Sequence, residues 1–178
     1  MAMSDATFKS ADHALRASFD LVARPIIKNA SITAVMTGGS PPPGLLSPQE
    51  KHAQAAMVVA YCMRLPDLYR AYIYARYAGR DVRPLAFNDL TLYVLVGTNW
   101  GDATWKAYRT IVEQYFSSRK TEIRGIRKNL KVHNYEALAV RRVAFNRLDT
   151  VHDQAIDTVT RHMEDQGLIQ PQQEMASG

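Results

Sequence analysis

Between Arg119 and Arg147 the chain carries nine basic residues, Arg119, Lys120, Arg124, Arg127, Lys128, Lys131, Arg141, Arg142 and Arg147, against two acidic ones, Glu122 and Glu136. The window holds +7, and the rest of a chain whose total is +5 sums to −2. Cations concentrated in this way suit a polyanion. Lysine meets phosphate as a point charge, and the planar fork of arginine can donate two parallel hydrogen bonds to guanine O6 and N7. A charge run can equally be a solvated helix face, so the apolar residues among the charges decide. In EIRGIRKNLKVHNYEALAVRRVAFNRLD, Glu122 to Asp149, Ile123 and Ile126 precede a short break, Leu130 and Val132 bracket it, and Leu138 follows. This is the apolar skeleton of a helix-turn-helix, in which two helices share a small core and the outer face of the second is free to enter a major groove. On that face the sequence places Asn134, Tyr135 and Arg141, with His133 at the turn, toward bases. Lys128, Lys131, Arg142 and Arg147 are placed toward phosphates.

Tyr108–Phe116 followed by Glu122–Leu148, about a quarter of the chain, resembles the C-terminal promoter-reading domain of sigma factors and the related LuxR-type DNA-binding modules. In that family a helix is followed by a glutamate-isoleucine pair, a leucine, a turn, a valine and a recognition helix ending in arginines. Here those positions are Glu122-Ile123 or Ile126, Leu130, Val132 and Arg141-Arg142. Arg127 stands where a small residue is usual, and Lys131 where the turn glycine is usual, a geometry that lysine adopts at a conformational cost. The wider layout resembles late-gene antiterminators of the Q type from lambdoid-like phages. That resemblance implies a protein that binds double-stranded DNA near a late promoter, loads onto paused host RNA polymerase and makes it ignore downstream terminators. In one branch the sigma-like module narrows the RNA exit channel, which adds nascent RNA to the implied neighbours. The branch with a zinc-binding cysteine cluster is excluded by the single Cys62.

The elements that must position this module follow from periodicity and punctuation. Residues 1–30 hold one helix, Ser10–Ala23, stopped before Pro25 because the residue preceding a proline is disfavoured in helical geometry. Residues 31–47, with Thr37-Gly38-Gly39-Ser40-Pro41-Pro42-Pro43-Gly44, have no periodic apolar face and read as a linker or loop. Ser47-Pro48-Gln49-Glu50 matches a capping box with proline at the first helical position and opens a helix to about Met63. Leu65-Pro66-Asp67 begins another, DLYRAYIYARYAG, with Gly79 expected in a left-handed C-cap. Arg83-Pro84 precedes Leu85–Val96, closed by Gly97, and residues 48–100 together form a helical partner-binding region. Residues 101–166 form the helix-turn-helix module. Asp102 caps a helix to about Phe116, a short helix runs from Thr121-Glu122 to Leu130, and a long one starts at His133 or Asn134 with Leu138, Phe145, Leu148, Val151, Ala155, Val159 and Met163 on its apolar stripe. Residues 167–178 are polar and expected to be disordered. With no strand signal, the fold class is all-α, a multi-helix bundle with a C-terminal helix-turn-helix.

Composition narrows the function classes. At 178 residues, 47% hydrophobic and 22% charged, the chain is sized for one domain or two small ones. One cysteine permits no internal disulfide and no multi-thiolate zinc site, which fits a reducing interior. No signal-peptide pattern and no apolar run of roughly 18 residues is present, so a cytoplasmic protein without a membrane partner is expected. His13, His52, His133, His152 and His162 form no i,i+4 pair, and Thr37-Gly38-Gly39-Ser40 lacks the lysine of a phosphate loop. Neither a metal, a cofactor nor enzymatic chemistry is expected. Tyr69, Tyr72, Tyr74 and Tyr77 interleave with Arg64, Arg70, Arg76, Arg80 and Arg83, either as a stacking surface for single-stranded nucleic acid or as a packed helix with snorkelling arginines. Asp149, Asp153 and Asp157 make an acidic stripe that would keep the far end of the long helix off DNA.

The expectation is a DNA-binding transcription regulator, foremost a phage antiterminator. Two alternatives stand beside it. One is a dimeric repressor or activator using the last helix as its seam, and the other is an adaptor whose basic module docks on RNA or on an acidic protein.

Overall fold

A computed structural model describes residues 8–23, 47–98, 101–117 and 123–170. The expected linker up to residue 46, Arg119, Lys120, the helix start at Thr121-Glu122 and the tail from residue 171 lie outside the described residues. Among the described residues the regular structure is helical: α1 Ala11–Ala23, α2 Pro48–Cys62, α3 Asp67–Tyr77, α4 Arg83–Leu95, α5 Asp102–Phe116, α6 Ile123–Leu130 and α7 Asn134–Asp165. An isolated parallel bridge joins Phe8 to Ile169. None of these helices is long and apolar enough to cross a membrane. The chain forms two compact units, Met1–Met63 with Val159–Gly178, and Arg64–Thr158.

In the first unit α1 packs on α2. Ala14, Leu15 and Phe19 of α1 and Ala55, Val58 and Cys62 of α2 are buried. The capping box that the sequence announces is formed: the Glu50 amide donates to Ser47 Oγ at 3.2 Å, and the Ser47 amide donates to Glu50 Oε2 at 2.7 Å. The hydrogen bonds from Ser47 hold the Glu50 carboxyl below the ordinary range. Burial pushes the Cys62 thiol up to about 12, so it is a protonated core side chain. Tyr61 stacks on His162 with ring centroids 3.5 Å apart.

The end of α7 corrects the expected disorder of residues 167–178 over its first part. The Leu168 amide donates to the Met163 carbonyl at 2.8 Å while Gly167 is left-handed at φ 66°, a Schellman turn. Leu168 and Ile169 are then buried, and the Phe8 amide donates to the Leu168 carbonyl at 3.0 Å. Two adjacent apolar side chains after a helix-ending glycine outweigh the polar composition around them.

In the second unit α3 packs on α4, α4 on α5 and α5 on α6. Tyr72, Ile73, Leu90, Leu95, Ile111, Ile126 and Leu148 are fully buried. Arg109 ties α5 to the start of α4: it donates to the Pro84 carbonyl at 3.0 Å and to Asn88 Oδ1, pairs with Glu113 at 2.7 Å and lies 5.2 Å over the Phe87 ring. Tyr115 donates to Asp149 Oδ1 at 2.7 Å, and burial raises its phenol well above the ordinary range.

Three local expectations are corrected here. Gly79 is not left-handed, because α3 ends by extending at Ala78, φ −72° and ψ 163°. Arg83 supplies what a glycine cap would have supplied, donating to the Ala78 carbonyl at 2.9 Å and the Arg76 carbonyl at 3.4 Å. Asp102 is the first helical residue, with Gly101 at the cap and no side-chain capping bond. Leu138, expected in the core, is 38% exposed, whereas Ala137 is fully buried. Counting back seven residues, two helical turns, from buried Ala144 reaches position 137, and the next residue is rotated about 100° outward.

Truncation reads this register directly. Leu148→Ala should cost about 2–5 kcal/mol in denaturant unfolding, and Leu138→Ala should stay within about 0.5 kcal/mol of wild type.

Candidate nucleic-acid interface

The segment from α6 through the first turns of α7 lies in the second unit, which takes in α7 as far as Thr158. Its first helix ends at Leu130 and the turn Lys131–His133 leads into α7. The Val132 amide donates to the Arg127 carbonyl at 3.3 Å, and Lys131 takes the left-handed conformation at φ 53°. This is a Schellman ending with lysine where glycine is the usual residue. Among the described residues Lys131 is the non-glycine residue with positive φ. At the start of α7 the His133 carbonyl accepts from the Ala137 amide at 3.0 Å, which makes His133 the N-cap. Glu136 closes half of a capping box by accepting from the His133 amide at 2.8 Å. Its carboxylate thus faces the positive end of the helix dipole, and its charge is used locally. The His133 and Tyr135 rings lie nearly parallel, with centroids 6.1 Å apart.

Lys128, Lys131, His133, Asn134, Tyr135 and Arg142 are exposed, as are Arg124 and Arg127. Among the described residues no ion pair holds Arg124, Arg127, Lys128, Lys131 or Arg142, in contrast to Arg16 with Asp12, Arg70 with Asp67 and Arg109 with Glu113. Arg141 is half-buried and its guanidinium lies 5.6 Å over the Phe145 ring. Arg147 is half-buried as well, and its Nη1 donates to the carbonyls of Val94 at 3.1 Å and Val96 at 3.0 Å. These are carbonyls at the end of α4, which a helix leaves without an internal donor. Arg147, placed toward phosphates by the sequence, is therefore a capping side chain for α4 through its Nη1.

Arg142, Tyr135, Ala139 and Asn146 share one outward strip, since they recur at three- and four-residue spacing and all are exposed. Leu138 and Val143 flank it, 38% and 56% exposed. Sequence reasoning missed Leu138, Ala139, Val143 and Asn146 on this face. The signal was present, because these positions are the complement of the buried stripe through Ala137, Ala144 and Leu148.

The second candidate surface is a packed helix over much of its length. Tyr72 is fully buried against Phe116 and His152, with centroids 5.2 and 5.3 Å away, and Tyr69 donates to Gln154 at 3.2 Å. No group of three or more His, Cys, Asp or Glu side chains that could hold a metal ion is found among the described residues. Comparison of the sequence with protein-family models and with curated proteins finds no match.

Two substitutions test the structural roles of side chains in this segment. Arg147→Ala should cost about 0.5–1.5 kcal/mol in denaturant unfolding by removing hydrogen bonds to one part-buried and one exposed carbonyl. Lys131→Gly should raise stability in denaturant unfolding by about 0.5–1 kcal/mol by removing left-handed strain.

Proposed function

We propose that the protein is a DNA-binding transcription regulator that reads duplex DNA through α6, the Lys131 turn and the first turns of α7. The observation that carries this reading is a short helix, a turn with a left-handed residue and a second helix whose outward face is flanked by exposed cations that have no carboxylate partner among the described residues. That is the arrangement a helix-turn-helix needs, with cations at the walls of a groove and an exposed helix face toward its floor. The packing of α5 on α6 supports the likeness to the sigma-factor promoter-reading domain, where a helix precedes the motif.

Within this reading Lys128 and Lys131, joined by Arg124 and Arg127, neutralise phosphates. Asn134, Tyr135 and Arg142 face bases, with His133 beside them at the turn. Arg142 takes the central position that the sequence suggested for Arg141, because Arg141 is turned toward Phe145. Exposed Asp149, Asp153 and Asp157 follow on α7 and would repel phosphates, which confines the duplex to the N-terminal turns. The regulator is of the phage late-gene antiterminator type, acting on host RNA polymerase in the bacterial cytoplasm with nascent RNA nearby. This part rests on the sequence resemblance.

Selection of duplexes from a random pool by the full chain at near-physiological salt tests the reading. A single asymmetric motif is expected. A palindrome would replace the antiterminator with a dimeric repressor or activator, and no enrichment would overturn DNA reading in favour of an RNA or acidic-protein adaptor. On the selected site, Arg142→Ala should cost about 1–3 kcal/mol and relax specificity, whereas Lys128→Ala should weaken all sequences alike and lower the salt slope by about one.

A further inference from the structure

Resting on the DNA reading above, we infer that Leu138 and Val143 are specificity residues that recognise the C5-methyl groups of thymine in the major groove. The observation is the composition of the outward face of α7. Exposed aliphatic side chains occur on other helices too, but here Leu138 at 38% and Val143 at 56%, beside Tyr135 at 69%, lie among exposed cations. The cations around them, Arg124, Arg127, Lys128, Lys131 and Arg142, are exposed, and the nearby carboxylate of Glu136 is turned to the helix start. An aliphatic face with a cationic border fits a ligand that is anionic at its edges and apolar within. Duplex DNA has that profile in the major groove, where phosphates form the walls and thymine methyl groups are the apolar features of the floor.

The positions favour two separate contacts. Leu138 and Val143 are five residues apart, about 140° around the helix and about 7.5 Å along it. They therefore lie at opposite edges of the face, with Ala139 and Arg142 between them. A small residue at position 139 leaves the helix backbone free to approach the floor, which brings both aliphatic side chains within reach of different base pairs. The geometry points to a target in which two T·A pairs flank the pair read by Arg142.

Uracil lacks only the methyl group, so deoxyuridine substitution tests the inference atom by atom. Each thymine of the selected duplex is replaced singly, and Kd is measured at fixed salt for the full-length wild type, Leu138→Ala and Val143→Ala. The wild type should bind about fourfold more weakly at two positions, the value for one buried methyl group. Leu138→Ala should be indifferent to uracil at one of them and Val143→Ala at the other. Both side chains are exposed, so both variants keep the fold. A selected duplex that tolerates uracil everywhere, or that loses equally with wild type and variants, overturns methyl recognition and leaves DNA binding standing. A pool that yields no selected duplex removes the DNA reading and this inference together.

Discussion

Burial of one stripe along α7 governs both what the second unit is made of and what it can present. An α-helix turns by about 100° per residue and does not twist locally to suit a single side chain. Once Ala137, Ala144, Leu148, Val151 and Ala155 are inside, the residues between them have fixed directions. Tyr135, Arg142, Val143 and Asn146 then face outward as a consequence of packing, and so do Asp149, Asp153 and Asp157. The change from cationic to anionic along the exposed face is thus tied to the same register that fills the core. A one-residue insertion near position 140 would turn the face aside while leaving its composition intact.

The turn before α7 carries the opposite kind of constraint, since here packing is sparse and backbone conformation dominates. A left-handed lysine costs on the order of 1–2 kcal/mol relative to glycine, and local strain that persists is commonly found at sites of function. Lys131 also places a charge between two helices, where a phosphate approaching the N-terminus of α7 would meet both the ammonium group and the helix dipole. Lysine keeps the chain reversal that glycine would give and adds that charge. The strain and the binding reading are therefore two views of one residue.

How far the sequence could be read depended on the distance between cooperating residues. The capping box at Ser47 and Glu50 was legible because it is closed within four residues, and the helical spacing of Trp105 through Phe116 was legible for the same reason. Gly79 misled because the carbonyls at the end of α3 are served by Arg83, a side chain from the next helix. The role of Arg147 was out of reach altogether, since its acceptors lie 51 and 53 residues earlier. Leu138 was a matter of rank: the larger side chain looked like the core residue, and only the spacing back from Ala144 shows that the small Ala137 takes the inside. The sequence also read 101–166 as one module, while by contact the end of α7 from Val159 on groups with the first 63 residues.

Those long-range anchors bear on recognition. The cationic part of the outward face of α7 lies within residues 134–146, and the anchors begin at its C-terminal end. Phe145 meets the Tyr115 ring edge-on at 5.2 Å, Arg147 caps α4, and Asp149 accepts from Tyr115. The helix that would enter the groove is thereby held on α4 and α5 just beyond its reading face. Preorganisation of this kind lowers the ordering cost of binding, and it matters most for base reading, where a bidentate contact requires an arginine to arrive at one angle. Phosphate contacts tolerate more freedom, and here the lysines at positions 128 and 131 sit at the end of an eight-residue helix and in a turn. On the proposed DNA reading the two tasks divide along the backbone. The cations at the end of α6 and in the turn would set affinity and register, and the anchored helix would set sequence preference.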